Sequence, residues 1–280
     1  MRGKVLKPKT LSRSVIVFDG HYPGANVTST VVHSKSHAFV FDSLFYPGDP
    51  PALLRQLKKL NLNPEGLINT HWHLDHTAGN QYFLETQRII SHSLCTDLMH
   101  SDLPSQIRGF NRGVRRNQRV RARYPNEAIS DGSVLTVGDQ EVKFFHTPGH
   151  TPDSIIGWLE DDHVIIAGDT VMELPYIWFG NSQALIESLN RVFSIDKKAA
   201  IVQGHGRICT GEKLKGDISY VENLRRLVTE SVESGRDAQN TRTRVKLEDC
   251  VGKERVRSIS KLYREIHPQN VERVHAELVK

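Results

Sequence analysis

The chain has little cysteine. Its 280 residues include three, Cys95, Cys209 and Cys250, which are far apart and form no Cys-x-x-Cys pair. An odd number of widely spaced cysteines gives no disulfide framework and is typical of proteins from reducing compartments. We therefore expect a cytoplasmic protein.

Long hydrophobic runs are also missing. A basic N-terminus leads into an apolar run at residues 15–18 that is too short for a signal peptide. No stretch approaches the length of a membrane span, so we expect no membrane partner. The chain also lacks the Gly-x-Ser-x-Gly motif that places the nucleophilic serine of α/β-hydrolases. The sequence therefore gives no sign of that kind of serine nucleophile.

The composition is otherwise that of a globular protein. Apolar residues make up 38% and charged residues 25% of the chain, and its net charge is +5. The positive charge mildly favours anionic partners. Because there is no internal repeat and no low-complexity linker, we expect one domain over residues 1–280.

Short β-branched and aromatic runs alternate with segments of helical periodicity, which predicts a layered α/β architecture. Strands are predicted at residues 14–18, 28–33, 37–41, 66–70, 142–145, 154–159, 164–167 and 199–202. Helices are predicted at residues 50–60 and 184–193. Residues 213–280 are charged, and their apolar residues have helical spacing, so we expect amphipathic helices packed on the body.

The most informative segment is Thr70-His71-Trp72-His73-Leu74-Asp75-His76, where four metal-type ligands fall within six residues. Imidazole and carboxylate suit zinc, iron and manganese. His71 and His73 are two apart, so in an extended segment both face one ion. Asp75 and His76 follow where the chain turns into a helix, and that turn aims them at a second ion.

Three later residues complete the set, and each follows a predicted strand. They are His150 in Thr-Pro-Gly-His-Thr, Asp169 in Gly-Asp-Thr and His205 in Gly-His-Gly. Loops at one edge of a strand scaffold are a common place for a site.

In this order and spacing the residues resemble the metallo-β-lactamase-fold superfamily, and the likeness covers about residues 14–210. It implies a four-layer αββα sandwich, here with a helical, arginine-rich insertion at residues 92–125 and C-terminal helices at residues 213–280. It implies two divalent ions, zinc first, with manganese or iron as alternatives. His71, His73 and His150 would bind one ion, Asp75, His76 and His205 the other, and Asp169 would bridge them. Asp42, which ends an early strand, would orient the site without ligating.

The leading hypothesis is a dinuclear hydrolase in which a hydroxide between the ions attacks a small ester, lactone, thioester or amide. An aspartate at the position of Asp169 resembles the glyoxalase II, lactonase and phosphodiesterase branches more than the zinc β-lactamases, which have Cys or His there. Asp75 could also accept the proton after attack. A phosphodiesterase or nuclease of the same fold, and a mononuclear iron oxygenase like persulfide dioxygenase, are alternatives. The sequence names neither the substrate nor the oligomeric state, and a homo-oligomer stays open.

Two further features bear on the substrate. Tyr176, seven residues after Asp169, could stabilise an oxyanion or simply pack in an apolar wall. If residues 106–123 form one helix, six arginines share an arc of about 100° at 100° per residue, and no acid occurs between Asp102 and Glu127. This face, including Arg108, Arg112 and Arg115, could bind an anionic substrate, with nucleic acid less favoured. A solvated helix that pairs with acidic residues elsewhere, or an oligomer contact, is the interpretation that we favour.

Overall fold

The computed structural model describes residues 6–84 and 88–279, and within these ranges the N-terminal half forms a mixed sheet. Its strands follow chain order, β1 (Pro8–Thr10), β2 (Val15–Tyr22), β3 (Ala25–Ser34), β4 (His37–Phe41), β5 (Asn63–Ile68), β6 (Arg88–His92) and β7 (Glu127–Ile129). The first four pair antiparallel, and β4 to β7 pair parallel. Parallel pairing brings the C-terminal ends of β4 and β5 to the same edge of the sheet.

A second sheet follows in the sequence. It contains β8 (Val134–Val137), β9 (Gln140–His146), β10 (Ile155–Leu159), β11 (Val164–Gly168) and β12 (Ala200–Gln203), in the order β12-β11-β10-β9-β8. The parallel β11–β12 pair puts the C-terminal ends of these two strands side by side.

The helices begin with α1 (Asp49–Lys59), α2 (Leu74–Thr77), α3 (Cys95–Arg112) and α4 (Ser182–Ile195). They continue with α5 (Gly211–Glu233), α6 (Ala238–Arg244), α7 (Leu247–Val251), α8 (Lys253–Ser258) and α9 (Lys261–Leu278). Helix α4 begins after Asn181, whose side-chain oxygen accepts from the Ala184 amide at 2.8 Å. No helix within the described ranges has both the length and the hydropathy needed to cross a bilayer.

The core lies in three layers because the strands alternate their side chains between two buried faces. Val15 and Val17 of β2 point into a cluster shared by both sheets, where Phe41 stacks on Phe144 at 6.0 Å between ring centroids. Ile16 and Phe18 point the other way, towards α1. The outer face of the second sheet is covered by α4, α5 and α9. The predicted αββα layering is confirmed.

Residues 106–123 do not form the one helix on which the shared arginine arc depends. Helix α3 ends at Arg112, and after Gly113 the chain is irregular except for one 3₁₀ turn at Arg116–Gln118. The Asn111 side chain makes two hydrogen bonds to the Val120 backbone, at 2.8 and 2.9 Å, and Val120 is buried. These contacts fold the segment back against α3, so the six arginines do not share one helical face.

Candidate metal centre

The predicted ligands meet at one edge of the two sheets because the strands that precede them end there. The loop after β5 carries His71 and His73, and the first turn of α2 carries Asp75 and His76. The other sheet contributes the remaining three, from the β9–β10 loop, the end of β11 and the end of β12, as His150, Asp169 and His205.

The tri-histidine half of the centre consists of His71, His73 and His150. Nδ1 of His73 lies 3.1 Å from Nε2 of His71 and 3.0 Å from Nε2 of His150. The three rings are buried. Three imidazole nitrogens converging on one point is the donor arrangement expected of a zinc-type site.

The Asp-His-His half consists of Asp75, His76 and His205. Nε2 of His205 lies 3.0 Å from Oδ2 of Asp75 and 3.3 Å from Nε2 of His76. Starting α2 at Leu74 turns the chain, so Asp75 and His76 point to a different spot from His71 and His73.

Asp169 lies between the two halves. Its Oδ2 atom is 3.4 Å from Nε2 of His150 and 3.5 Å from Nε2 of His205. Gly204 leaves room for this carboxylate, since a Cβ at that position would lie 1.9 Å from Oδ1 of Asp169. One carboxylate therefore faces the ligand nitrogens of both halves.

The outer nitrogens of His76, His150 and His205 have acceptors, which fixes which nitrogen of each ring faces inward. Nδ1–H of His150 donates to the Tyr176 carbonyl at 2.7 Å, and Nδ1–H of His205 donates to the Asn26 carbonyl at 2.6 Å. Nδ1–H of His76 donates to Asp42 at 2.8 Å. Carbonyl and carboxylate oxygens only accept, so each Nε2 is left as a possible metal ligand.

Asp42 also orients His71, through Thr70. The Thr70 hydroxyl donates to Asp42 at 2.8 Å and can then accept from Nδ1–H of His71 at 3.0 Å. The Thr70 amide donates to the other carboxylate oxygen at 2.8 Å. Asp42 therefore contacts a ring of one half directly and a ring of the other half through Thr70, without facing the centre itself. The donor set and its outer contacts fit two divalent ions.

Protonation differs between the halves. Burial lowers the pKa of His71 well below its usual range and that of His73 to about 3, and burial also lowers the pKa of His150. Burial opposes the charged form of His76 and His205 too, but the neighbouring carboxylates outweigh it. Asp169 first, with Asp42 and Asp75, holds the pKa of His76 well above its usual range. Asp169 and Asp75 raise the pKa of His205 to about 10.

The carboxylates are ionised. Burial alone would raise the pKa of Asp75, but His76 and His205 bring it to about 2. The same two histidines hold the pKa of Asp169 well below its usual range. An ionised Asp75 suits a metal ligand, whereas its weak basicity gives less support to the predicted proton-accepting role.

A cavity of about 380 Å³ opens over the centre. Besides ligands it is lined by residues of β2, α3, the segment after β11, and α9, namely Tyr22, Gln106, Met172, Tyr176, Phe179, Leu262, Tyr263 and Ile266. Tyr176 is in the wall, as a packing role would require, and its hydroxyl donates to Gln269 at 2.6 Å.

The predicted substrate-binding arginines do not line this cavity. Arg108 and Arg112 lie about 200° and 240° around α3 from Gln106, at 100° per residue, and Gln106 is the α3 residue that faces the cavity. Arg108, Arg112 and Arg115 are exposed, and none has an acidic partner within the described ranges. The pairing with acids elsewhere that a solvated helix would make is therefore not seen.

Sequence reasoning missed three residues that shape the site. Tyr22 packs against His205 with ring centroids 4.7 Å apart, Tyr263 comes from the distant α9, and Asn26 holds the His205 loop. Asn26 also exchanges side-chain hydrogen bonds with Gly206 at 2.9 and 3.1 Å. None of the three carries a local motif, since their roles arise from contacts between segments far apart in the chain.

Comparison with known proteins agrees with this geometry. A family model described as Metallo-beta-lactamase superfamily matches residues 22–205. Hydroxyacylglutathione hydrolase of Prochlorococcus marinus is 25% identical over 206 residues, which cover 71% of this chain and 70% of that protein. Acyl-coenzyme A thioesterase MBLAC2 of Bos taurus is 28% identical, over 52% of this chain and 58% of that protein.

Among solved structures, a metallo-beta-lactamase from Pontibacter korlensis superposes with a TM-score of 0.66. The superposition covers 78% of this chain and 99% of that one, at 17% sequence identity. At this identity the likeness establishes the fold alone.

Proposed function

Because the chain belongs to the metallo-β-lactamase superfamily and is a metal-dependent hydrolase, we propose that it hydrolyses thioesters with two zinc ions. The observation that carries the dinuclear part is the position of Asp169, whose Oδ2 atom lies 3.4 and 3.5 Å from ligand nitrogens of the two halves. A carboxylate shared between two cations offsets their mutual repulsion.

The choice of thioester is supported by the relatives. The protein of Prochlorococcus marinus is named for the hydrolysis of an acylglutathione and the protein of Bos taurus for that of acyl-coenzyme A, and both substrates are thioesters. Of the four substrate types that the sequence left open, thioesters are the one to which both names point.

When bound, the ions supply Lewis acidity and lower the pKa of a coordinated water towards ~7. The residues of the chain position the ligand rings and the substrate. The Asp42–Thr70 contacts hold the rings of His76 and His71, and Asp75 and Asp169 supply negative charge that matches two cations. The cavity above the ligands admits the acyl carbonyl and limits the access of bulk water.

Tyrosine hydroxyls are the proposed donors to the oxyanion. Burial raises the pKa of Tyr176 to about 12, so the hydroxyl is protonated at neutral pH, but it already donates to Gln269. The charges of Asp75 and Asp169, with burial, raise the pKa of Tyr22. The ring of Tyr22 lies 4.7 Å from that of His205 between centroids and its hydroxyl keeps its proton, so we propose Tyr22 as the main donor, ahead of Tyr176.

The arginines Arg108, Arg112 and Arg115 are proposed to contact an anionic part of the substrate that extends outside the cavity. Their exposure supports this role, as does the absence of an acidic partner among the residues that the structure describes. The same features favour the second candidate, a phosphodiesterase or nuclease, whose binding to nucleic acid would weaken steeply with salt.

The test is metal content by elemental mass spectrometry, followed by a substrate panel on the same preparation. The panel contains an acyl-coenzyme A, an S-acylglutathione, a β-lactam and a bis(nitrophenyl) phosphate. Two zinc ions per chain with turnover of the thioesters is the expected result. One iron per chain with oxygen uptake on thiol substrates, or turnover of the phosphodiester alone, would contradict the proposal.

A further inference from the structure

We propose that the cavity over the centre binds the acyl group of the substrate, that this group is uncharged and apolar, and that α9 sets its length. This inference rests on the proposed thioester hydrolysis and adds the class of acyl group. It concerns the 380 Å³ cavity whose floor is formed by the ligands of the centre.

The first argument is the chemistry of the wall. Four apolar side chains line it, Met172, Phe179, Leu262 and Ile266. The polar atoms that join them belong to three tyrosines, to Gln106 and to the ligands of the centre, and no lysine or arginine is among the lining residues that the structure describes. Away from the ligands of the centre, an anionic acyl group would find no cationic side chain among the lining residues that the structure describes, whereas an apolar group buries hydrocarbon against Met172, Phe179, Leu262 and Ile266.

The second argument is that α9 is held firmly against the cavity. Leu262 and Ile266 are one turn apart and face the same way. Asn270, one turn further, is buried; it donates to the Pro175 carbonyl at 2.7 Å and accepts from the Ile177 amide at 3.0 Å. These bonds join α9 to the segment that carries Tyr176 and Phe179, so the two walls form one fixed unit.

The third argument is size. At about 30 Å³ for each water-sized group, 380 Å³ holds roughly a dozen non-hydrogen atoms. That is enough for the scissile group and an acyl chain of about six to eight carbons by the same measure. Glutathione and coenzyme A are charged and larger than this, so the thiol carrier extends out of the cavity.

The experiment measures kcat/KM for a series of straight-chain acyl thioesters with two to twelve carbons. Two thiol carriers are compared, coenzyme A and uncharged N-acetylcysteamine. We expect kcat/KM to rise about fourfold per added methylene, from ~0.8 kcal/mol of burial, and to level off at about six to eight carbons. The profile should have the same shape for both carriers, and succinyl thioesters should be poorer than butanoyl thioesters by at least about tenfold, as expected for a charge in an apolar wall.

Variants of Ile266 locate the end of the chain. Ile266→Trp should move the plateau to shorter chains, and Ile266→Ala should move it to longer ones. Glu265→Trp is the matched control, because Glu265 is the adjacent residue of α9 and its side chain is 61% exposed. It should leave the profile unchanged.

The outcomes separate the two proposals. Turnover of thioesters with a flat chain-length profile, or with a plateau that does not move in either Ile266 variant, overturns the acyl assignment and leaves thioester hydrolysis standing. A preference that depends on the thiol carrier and not on the acyl chain also overturns the acyl assignment and leaves thioester hydrolysis standing. No turnover of any thioester by the zinc-loaded protein overturns both.

Discussion

The two halves of the metal centre use the same side chain in opposite electrostatic settings. His71, His73 and His150 face one another in a buried space, and burial keeps their pKa values low. His76 and His205 are just as buried, but each faces carboxylates and its pKa is raised. Burial alone therefore does not decide the charge of a histidine: the carboxylates beside His76 and His205 together reverse its effect, whereas the 3.4 Å contact with Asp169 does not do so at His150.

This difference has a consequence for metal binding. An ion entering the tri-histidine half meets neutral imidazoles, whereas an ion entering the Asp-His-His half must displace protons. The tri-histidine half should therefore bind its ion first and the Asp-His-His half second. Substitutions and changes of pH should affect the two halves unequally.

Removing a ligand should have the largest effect. His73→Ala and Asp169→Ala should abolish turnover and lower the metal content, a loss beyond the about 10–100-fold typical of an outer hydrogen-bond partner. His205→Ala should also abolish turnover but should keep about one ion per chain, since the tri-histidine half is intact. Metal content by elemental mass spectrometry and kcat/KM are measured on each variant.

His37→Ala is the control for these variants, because His37 is an exposed histidine at the start of β4. It should retain full activity and metal. Full activity in His73→Ala or Asp169→Ala would show that the assigned centre is not the site of the reaction.

Lowering the pH should remove the second ion before the first. With two ligand histidines protonated in the metal-free protein, affinity in the Asp-His-His half should fall by up to about a hundredfold per pH unit below their raised pKa values. The tri-histidine half has low pKa values, so its affinity should be nearly constant between about pH 6.5 and 8. The metal content after dialysis at a series of pH values measures how each half loses its ion.

Calorimetry in buffers of different ionisation enthalpy provides the second readout, since it counts the protons released. Binding of the first ion, in the tri-histidine half, should release few protons. Binding of the second ion, in the Asp-His-His half, should release up to two protons. Equal proton release for both ions, or loss of both at one pH, would mean that the halves do not differ as the geometry indicates.

The metal-type residues of the centre, and Asp42 beside them, could be predicted from the sequence and its family resemblance, whereas Tyr22, Asn26 and Tyr263 could not. His71 to His76 lie in one short motif, and His150, Asp169 and His205 each follow a strand, so local spacing was enough. Asn26 and Tyr263 reach the site only through folding, and no local pattern marks them. The arginine helix over residues 106–123 failed because helical periodicity gave no sign of the two hydrogen bonds from Asn111 to Val120 that fold the chain back.

Asp42→Asn should weaken both halves, the Asp-His-His half more. The carboxylate accepts directly from His76 but reaches His71 only through Thr70. Asparagine keeps one acceptor oxygen and removes the charge, so affinity for the second ion should fall by about 10–100-fold and affinity for the first by less. Competition with a chelating indicator measures the two constants.

The matched control is Asp49→Asn. Asp49 also accepts from a histidine, His21, at 2.9 Å, but away from the centre. Asp49→Asn should leave the affinities for the first and the second ion unchanged. An equal loss in the two variants would attribute the effect of Asp42→Asn to general destabilisation.

The smallest predicted effect separates the tyrosines. Tyr22 lies beside His205 and close enough to Asp75 for that charge to raise its pKa, whereas the Tyr176 hydroxyl donates to Gln269. A donor already committed elsewhere must give up a hydrogen bond to stabilise an oxyanion. Tyr22→Phe should therefore lower kcat by about tenfold, less than the ~10²–10³ of a dedicated oxyanion donor, whereas Tyr176→Phe should leave kcat nearly unchanged and raise KM by about a few-fold.

The comparison of kcat with KM makes this prediction specific. Loss of a bond formed only in the transition state lowers kcat and kcat/KM together, whereas loss of a wall contact raises KM. Tyr22→Phe should show the first pattern and Tyr176→Phe the second. The reverse assignment would place the donor at Tyr176, where the hydrogen bond to Gln269 would then have to break during turnover, and Gln269→Ala, by freeing that hydroxyl, would raise kcat.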